Sequence, residues 1–88
     1  MSTCHLLSNQ TSLARCHPFI KEGDSVVFQG AAVLCAIYPD SLPHADCYFI
    51  ADDLIARGLE VDPAHGQSLS VADFVTLLMR HDNQVAWP

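Results

Sequence analysis

Short apolar runs alternate along this chain with stretches whose apolar positions recur at helical spacing. The two periods predict strands and helices respectively. Thr3 to Leu7 reads as a first strand, ended by the polar Ser8-Asn9-Gln10. Thr11 to Glu22 follows as a weakly amphipathic helix closed by Gly23. Pro18 is its weak point. A proline inside a helix removes a hydrogen bond and crowds the preceding turn, so this segment must kink or begin near His17. Asp24 to Phe28 is a second strand, and its consecutive Val26-Val27-Phe28 suits a strand covered on both faces. Gly30 to Ile37, apolar on nearly every side and closed by Pro39, predicts a buried helix, and in so small a chain burial against another subunit.

Asp46 to Ile50 gives a third strand. Asp52 and Asp53 open a short helix, where negative charge suits the positive end of the dipole, and Arg57-Gly58 closes it. Gln67 to Leu69 is a brief fourth strand. Ser70-Val71-Ala72-Asp73 has the form of a capping box, with aspartate in place of glutamate. Val71, Phe74, Val75, Leu78 and Met79 then follow at helical spacing, with Arg80-His81 at the carboxyl end and a tail from Gln84 to Pro88. The order βαβαβαβα predicts an α/β fold: three α/β/α layers around a small, mainly parallel sheet of about four strands. Residues 1–88 are expected to form one domain.

Composition changes the picture in one respect. Half of the residues are hydrophobic and only 16% are charged, against about 25% in an average soluble domain. A chain of 88 residues cannot hide so much apolar surface alone, and association is the natural remedy. The net charge of −6 offers no footprint for a nucleic-acid backbone or an anionic lipid surface. The opening carries no charged-then-apolar leader, and the longest apolar run, Ala31 to Tyr38, is far too short for a membrane span. A cytoplasmic protein that touches neither nucleic acid nor membrane directly is the expectation.

In a reducing compartment Cys4, Cys16, Cys35 and Cys47 are expected as free thiols. Their wide spacing contains no C-x-x-C, and no pair of the five histidines has metal-ligand spacing, so no metal site is expected. No glycine-rich phosphate loop or nucleophile elbow appears, so no cofactor is expected either. Ligands of an open parallel sheet gather beyond the carboxyl ends of the strands, which here hold Ser8, Asn9, Gln10, Gln29, Gly30, Asp52 and Asp53.

Three segments carry a resemblance. Cys4-His5-Leu6-Leu7-Ser8, Asp53-Leu54-Ile55-Ala56-Arg57-Gly58-Leu59, and Ala72-Asp73-Phe74-Val75 followed by Ala86-Trp87 occur in this order across nearly the whole chain. Together they resemble the TusB/DsrH family. The Tyr38–Cys47 segment is shorter than in longer members, and Gln29-Gly30 stands where Asp-Gly is often found. The resemblance implies a subunit of a hetero-oligomeric sulfur relay, beside TusC/TusD-like (DsrF/DsrE-like) partners. It further implies that persulfide sulfur passes either toward tRNA wobble-uridine 2-thiolation or within sulfur oxidation, and that the essential acceptor cysteine belongs to the TusD/DsrE subunit.

Cys16 stands six residues before Glu22-Gly23, as in DsrH-type members. It is also the best-placed thiol for a sulfur carrier, because Arg15 and His17 flank it and cationic neighbours favour the thiolate. The other reading is a small core hydrophobe. Cys4, Cys35 and Cys47 read as core packing. Asp53 and Arg57, four apart, predict an exposed ion pair. His5 reads as a hydrogen-bonded strand histidine, and His81 as a complement to a helix dipole. Trp87 is expected to anchor an interface, since tryptophan does so disproportionately often. Two alternatives stay open: a stand-alone sulfurtransferase using Cys16, and a homo-oligomeric module binding a small ligand at the strand ends.

Overall fold

The computed structural model describes residues 2–88. Its strands are β1 (Thr3–Leu7), β2 (Ser25–Phe28), β3 (Asp46–Ile50), β4 (Gln67–Leu69) and β5 (Asn83–Trp87). They form one sheet in the order β4-β3-β2-β1-β5, and every neighbouring pair is parallel. The small parallel α/β sheet is as expected, with five strands rather than about four. The added strand is the tail. Asn83 to Ala86 are exposed, so no buried alternation marks the segment. It becomes a strand by pairing with β1 from Thr3↔Asn83 to Leu7↔Trp87.

Strand order dictates the layers. Each step from β1 to β4 crosses the sheet in the same direction, and right-handed crossovers place such connections on one face. That face is packed by Leu13 and Cys16 of α1 (Ser12–Cys16), by Ala32, Val33 and Ala36, and by Leu54 of α2 (Ala51–Ala56). The step from β4 to β5 reverses direction, so α3 (Val71–Met79) falls on the other face. There Leu77, Phe74 and Leu78 pack on Cys4, Val27, Ile50 and Leu69.

Pro18 shortens the first helix. α1 stops at Cys16 and the chain continues as a 3-10 turn, His17–Phe19, with the proline in its opening positions. Gly30–Ile37 is also a 3-10 helix, and it buries Ala32, Val33, Cys35 and Ala36 within its own chain. The expectation of burial against another subunit therefore fails for this segment; only Ile37 and Tyr38 at its end stand exposed. Much of the apolar surface left over lies instead on α3. Val71, Val75 and Met79 share one face at four-residue spacing and are 60%, 51% and 82% exposed. The cap of α3 forms as expected, Ser70 Oγ accepting the Asp73 N–H at 3.1 Å.

Gly66, just before β4, lies against the centre of the core. A Cβ there would stand 2.8 Å from Phe49 Cε1 and 3.1 Å from the Cys47 carbonyl oxygen. Phe49 is wholly buried and stacks on Phe28 at 4.5 Å between ring centroids. Gly66→Ala should therefore destabilise the fold by roughly 1–3 kcal/mol, as overpacked cores do. A lowered urea midpoint would show it, and an unchanged midpoint would mean that the stacked rings can slide aside.

Candidate functional site

The densest group of polar side chains in the interior joins β1, the turn before β2, and β5. His5 points from β1 to the face that α1 covers and is buried, as is Asp24. His5 Nε2 lies 3.0 Å from Asp24 Oδ2, and Trp87 Nε1 lies 3.2 Å from His5 Nδ1. An indole N–H can only donate, so His5 Nδ1 must accept, and the neutral ring carries its proton on Nε2 and donates it to Asp24. The carboxylate also accepts the backbone N–H groups of Thr3 and Lys21, each at 2.9 Å. Burial by itself would raise the Asp24 carboxyl; the Lys21 N–H, His5 and the Thr3 N–H outweigh it and hold the group below the ordinary carboxylate range.

A histidine oriented by a carboxylate is the arrangement of a general base. Here the nitrogen that would face a substrate is already taken by Trp87. As it stands, the site orders the imidazole without leaving it free to accept a proton from anything else.

A second pair sits on the opposite face of the sheet. His81 Nδ1 lies 2.9 Å from the Leu77 carbonyl oxygen, and its Nε2 lies 3.0 Å from Ser25 Oγ. The carbonyl fixes the proton on Nδ1, so in the neutral ring Ser25 donates to Nε2. Ser25 is 3% exposed, which leaves its hydroxyl out of reach of a substrate. The pair fastens the end of α3 to the start of β2.

The cysteines are all buried and free. Burial pushes the Cys16 thiol up to about 11, and the Asp24 charge adds to the effect. The activation expected from Arg15 and His17 does not arise. Consecutive helix positions are about 100° apart, so Cys16 turns into the core while both neighbours are exposed. Arg15 instead donates to the Pro88 backbone oxygen. Burial likewise raises Cys4 to about 11 and Cys47 to about 12, and raises Cys35 as well. Cys35 comes closest to open space, in the wall of a groove of about 560 Å³ that also meets Leu13, His17 and Tyr38.

Beyond the strand ends the chain fills its own crevice. The switch point of this sheet lies between β1 and β5. There Ser12 Oγ donates to the carbonyl oxygens of Trp87 at 3.3 Å and Pro88 at 2.8 Å. Trp87 also packs on His5 at 6.3 Å and Phe19 at 5.5 Å between ring centroids, and it is half-buried. Asp53 does not pair with Arg57. Its carboxylate accepts the Gly30 N–H at 2.8 Å and pins the start of the 3-10 helix to α2. A separate cleft of about 530 Å³ at the amino end of β3 meets His44, His65, Asp40 and Asp46. Among the described residues no three His, Cys, Asp or Glu side chains are grouped to hold a metal ion.

A family model described as DsrH-like protein matches residues 8–84. Protein TusB of Escherichia coli O81 (strain ED1a) is 32% identical over 94 residues, covering 99% of both chains. The same values hold for Protein TusB of Escherichia coli O6:K15:H31 (strain 536 / UPEC). This chain belongs to the TusB/DsrH family. In this family member, the three segments that carried the resemblance occupy β1, α2, and α3 with β5. Within them His5 and Trp87 meet at one point of the fold, and Asp24, outside all three, completes the cluster. No helix among the described residues is long and apolar enough to cross a membrane.

Asp24 was not apparent as a site residue, because two of its three partners lie 19 and 21 positions away. Its one sequence signal is an acid between a turn glycine and the run Ser25-Val26-Val27-Phe28. Asp24→Asn keeps one acceptor oxygen for three donors. It should unfold at a lower urea concentration at pH 7, by about 1–3 kcal/mol. A carboxyl held low in the fold stabilises above its unfolded value of about 3.9 and loses that contribution as pH falls through its folded value. The asparagine variant should therefore lose less stability than the parent between pH 5 and 3, in paired urea titrations.

Proposed function

We propose that this chain is an accessory subunit of a cytoplasmic, hetero-oligomeric sulfur relay, in which TusC/TusD-like (DsrF/DsrE-like) partners carry the persulfide toward tRNA wobble-uridine 2-thiolation. Membership of the TusB/DsrH family implies a sulfur-relay role. The observation that carries the accessory reading is the state of the thiols. None of the four cysteines is more than 6% exposed, and burial keeps every one protonated at neutral pH. Sulfur transfer needs a thiolate that an incoming persulfide can reach. In this reading the acceptor belongs to a partner, and residues 1–88 form one domain that shapes the assembly.

The surface supports that division of labour. Val71, Val75 and Met79 on α3, with Ile55 76% exposed on α2, leave apolar side chains in water that a partner would cover. Trp87 and the exposed Phe19 would lie at the rim of a contact along the free side of β5. A net charge of −6 suits a subunit that leaves RNA to others. The stand-alone reading through Cys16 asks a neutral, wholly buried thiol to attack. The ligand-module reading asks for a crevice that Trp87 and Pro88 occupy.

Two measurements test this. Co-expressed with TusC- and TusD-like proteins and weighed by native mass spectrometry, the chain should appear in a heteromer with both; a stable homo-oligomer retaining neither would overturn the proposal. In the isolated folded chain, a thiol reagent at pH 7 should modify all four cysteines at least tenfold more slowly than in denaturant. Rapid labelling of Cys16 in the folded state would favour the stand-alone sulfurtransferase.

A further inference from the structure

We propose that His5 and Trp87 form a proton-operated latch, in which protonation of His5 at Nδ1 expels the Trp87 indole from its seat and loosens the end of β5. The inference rests on the geometry of one nitrogen atom. His5 Nδ1 is the acceptor for Trp87 Nε1–H at 3.2 Å, and Nε2 is committed to Asp24 at 3.0 Å. A proton gained by the ring can enter only at Nδ1. It would then set one N–H against another, and neither atom can accept. The indole must turn away or the ring must stay neutral.

The surrounding groups set the balance. From the turn before β2, Asp24 favours the imidazolium by charge, and its Oδ2 keeps its bond in both states. From β5, Trp87 contributes no charge and opposes protonation by its donor alone. On α1, the buried Cys16 thiol is neutral, and the exposed Arg15 guanidinium reaches the Pro88 oxygen. Lys21 meets Asp24 through its backbone N–H, with the residue itself exposed. The 3-10 turn brings Phe19 against Trp87, and its His17 is exposed. The nearest charge thus pulls a proton in, while the indole holds it out. That is the opposition a two-state switch requires.

Release would matter because of what Trp87 leaves behind and what it joins. Its ring is half-buried between His5 and Phe19, and Phe19 is already 59% exposed. Turned outward, the indole adds to that apolar surface beside the unpaired edge of the sheet. The hydrogen bonds from Ser12 to the backbone of Trp87 and Pro88 do not involve the ring. They do not hold the indole in its seat.

The intact chain carries its own reporter, since Trp87 is its only tryptophan. Nitrogen-15 NMR of the imidazole should show the Nε2–H tautomer near neutral pH. On acidification, His5 protonation, the shift of the indole N–H resonance and faster exchange of the β5 amides should share one midpoint, with the β2 and β3 amides still protected. Trp87→Phe removes the indole donor, so the β5 amides of this variant should no longer exchange faster as His5 gains its proton. Three results would overturn the latch. They are an Nδ1–H tautomer at neutral pH, a His5 titration that leaves the indole and β5 unmoved, and a His5 that stays neutral until the whole sheet unfolds.

Discussion

The Asp24 carboxylate is the point to which the rest of this molecule is tied. It is a buried charge, and such a charge persists only when its lone pairs are filled. The Thr3 N–H comes from the start of β1, the Lys21 N–H closes the turn leading into β2, and His5 brings the middle of β1. One anion therefore aligns β1 with β2, whose register begins at Cys4↔Ser25, the residue after Asp24. Through His5 it also fixes the ring that receives Trp87, so β5 is seated by the same charge at second hand. Removing the carboxylate would leave three donors without an acceptor, the buried His5 imidazole among them, a larger penalty than losing three exposed hydrogen bonds.

The same charge bears on the chemistry of sulfur. Asp24 disfavours a thiolate at Cys16, and burial disfavours it more. A fold that needs an anion near this thiol works against using the thiol as a nucleophile. The fixed negative charge that organises the strands thus adds to the burial that raises the Cys16 thiol. Cys4 and Cys47, on opposite faces of the sheet, are kept protonated by burial without help from Asp24.

Much of the scaffold was legible because its signals are local. The limits of β1, β3 and β4 fall where the polar breaks predict, and Ser70 caps α3 through a contact three residues long. What escaped was decided at a distance. β5 has no buried face of its own and exists because β1 offers an unpaired edge. Asp53 has Arg57 one helical turn away, yet it bonds to Gly30, 23 positions back, because the 3-10 helix presents an unpartnered N–H there. Arg15 and His17 neighbour Cys16 along the chain but not in space, since a helix turns them outward as it turns the cysteine in. The residue types at the site were visible one by one. That His5, Asp24 and Trp87 converge follows from strand order, which no single segment encodes.

Strand order also determines what kind of function the fold can support. In an open parallel sheet the crevice at the switch point is the place for a ligand. Here β5 returns to that point and brings Trp87 and Pro88 with it, where Ser12 and Arg15 hold them. With the crevice closed, chemical activity would have to be found on the outer faces, and these are unequal. One face of the sheet is covered by α1, α2 and the Gly30–Ile37 segment. Among the described residues the other is covered by the nine residues of α3, with Val71, Val75 and Met79 turned to solvent. A helix that is apolar toward its own sheet and apolar again toward solvent is half of a layer. That outer apolar side is the surface a partner could cover, and with every cysteine buried it is where the accessory reading proposed above finds its support.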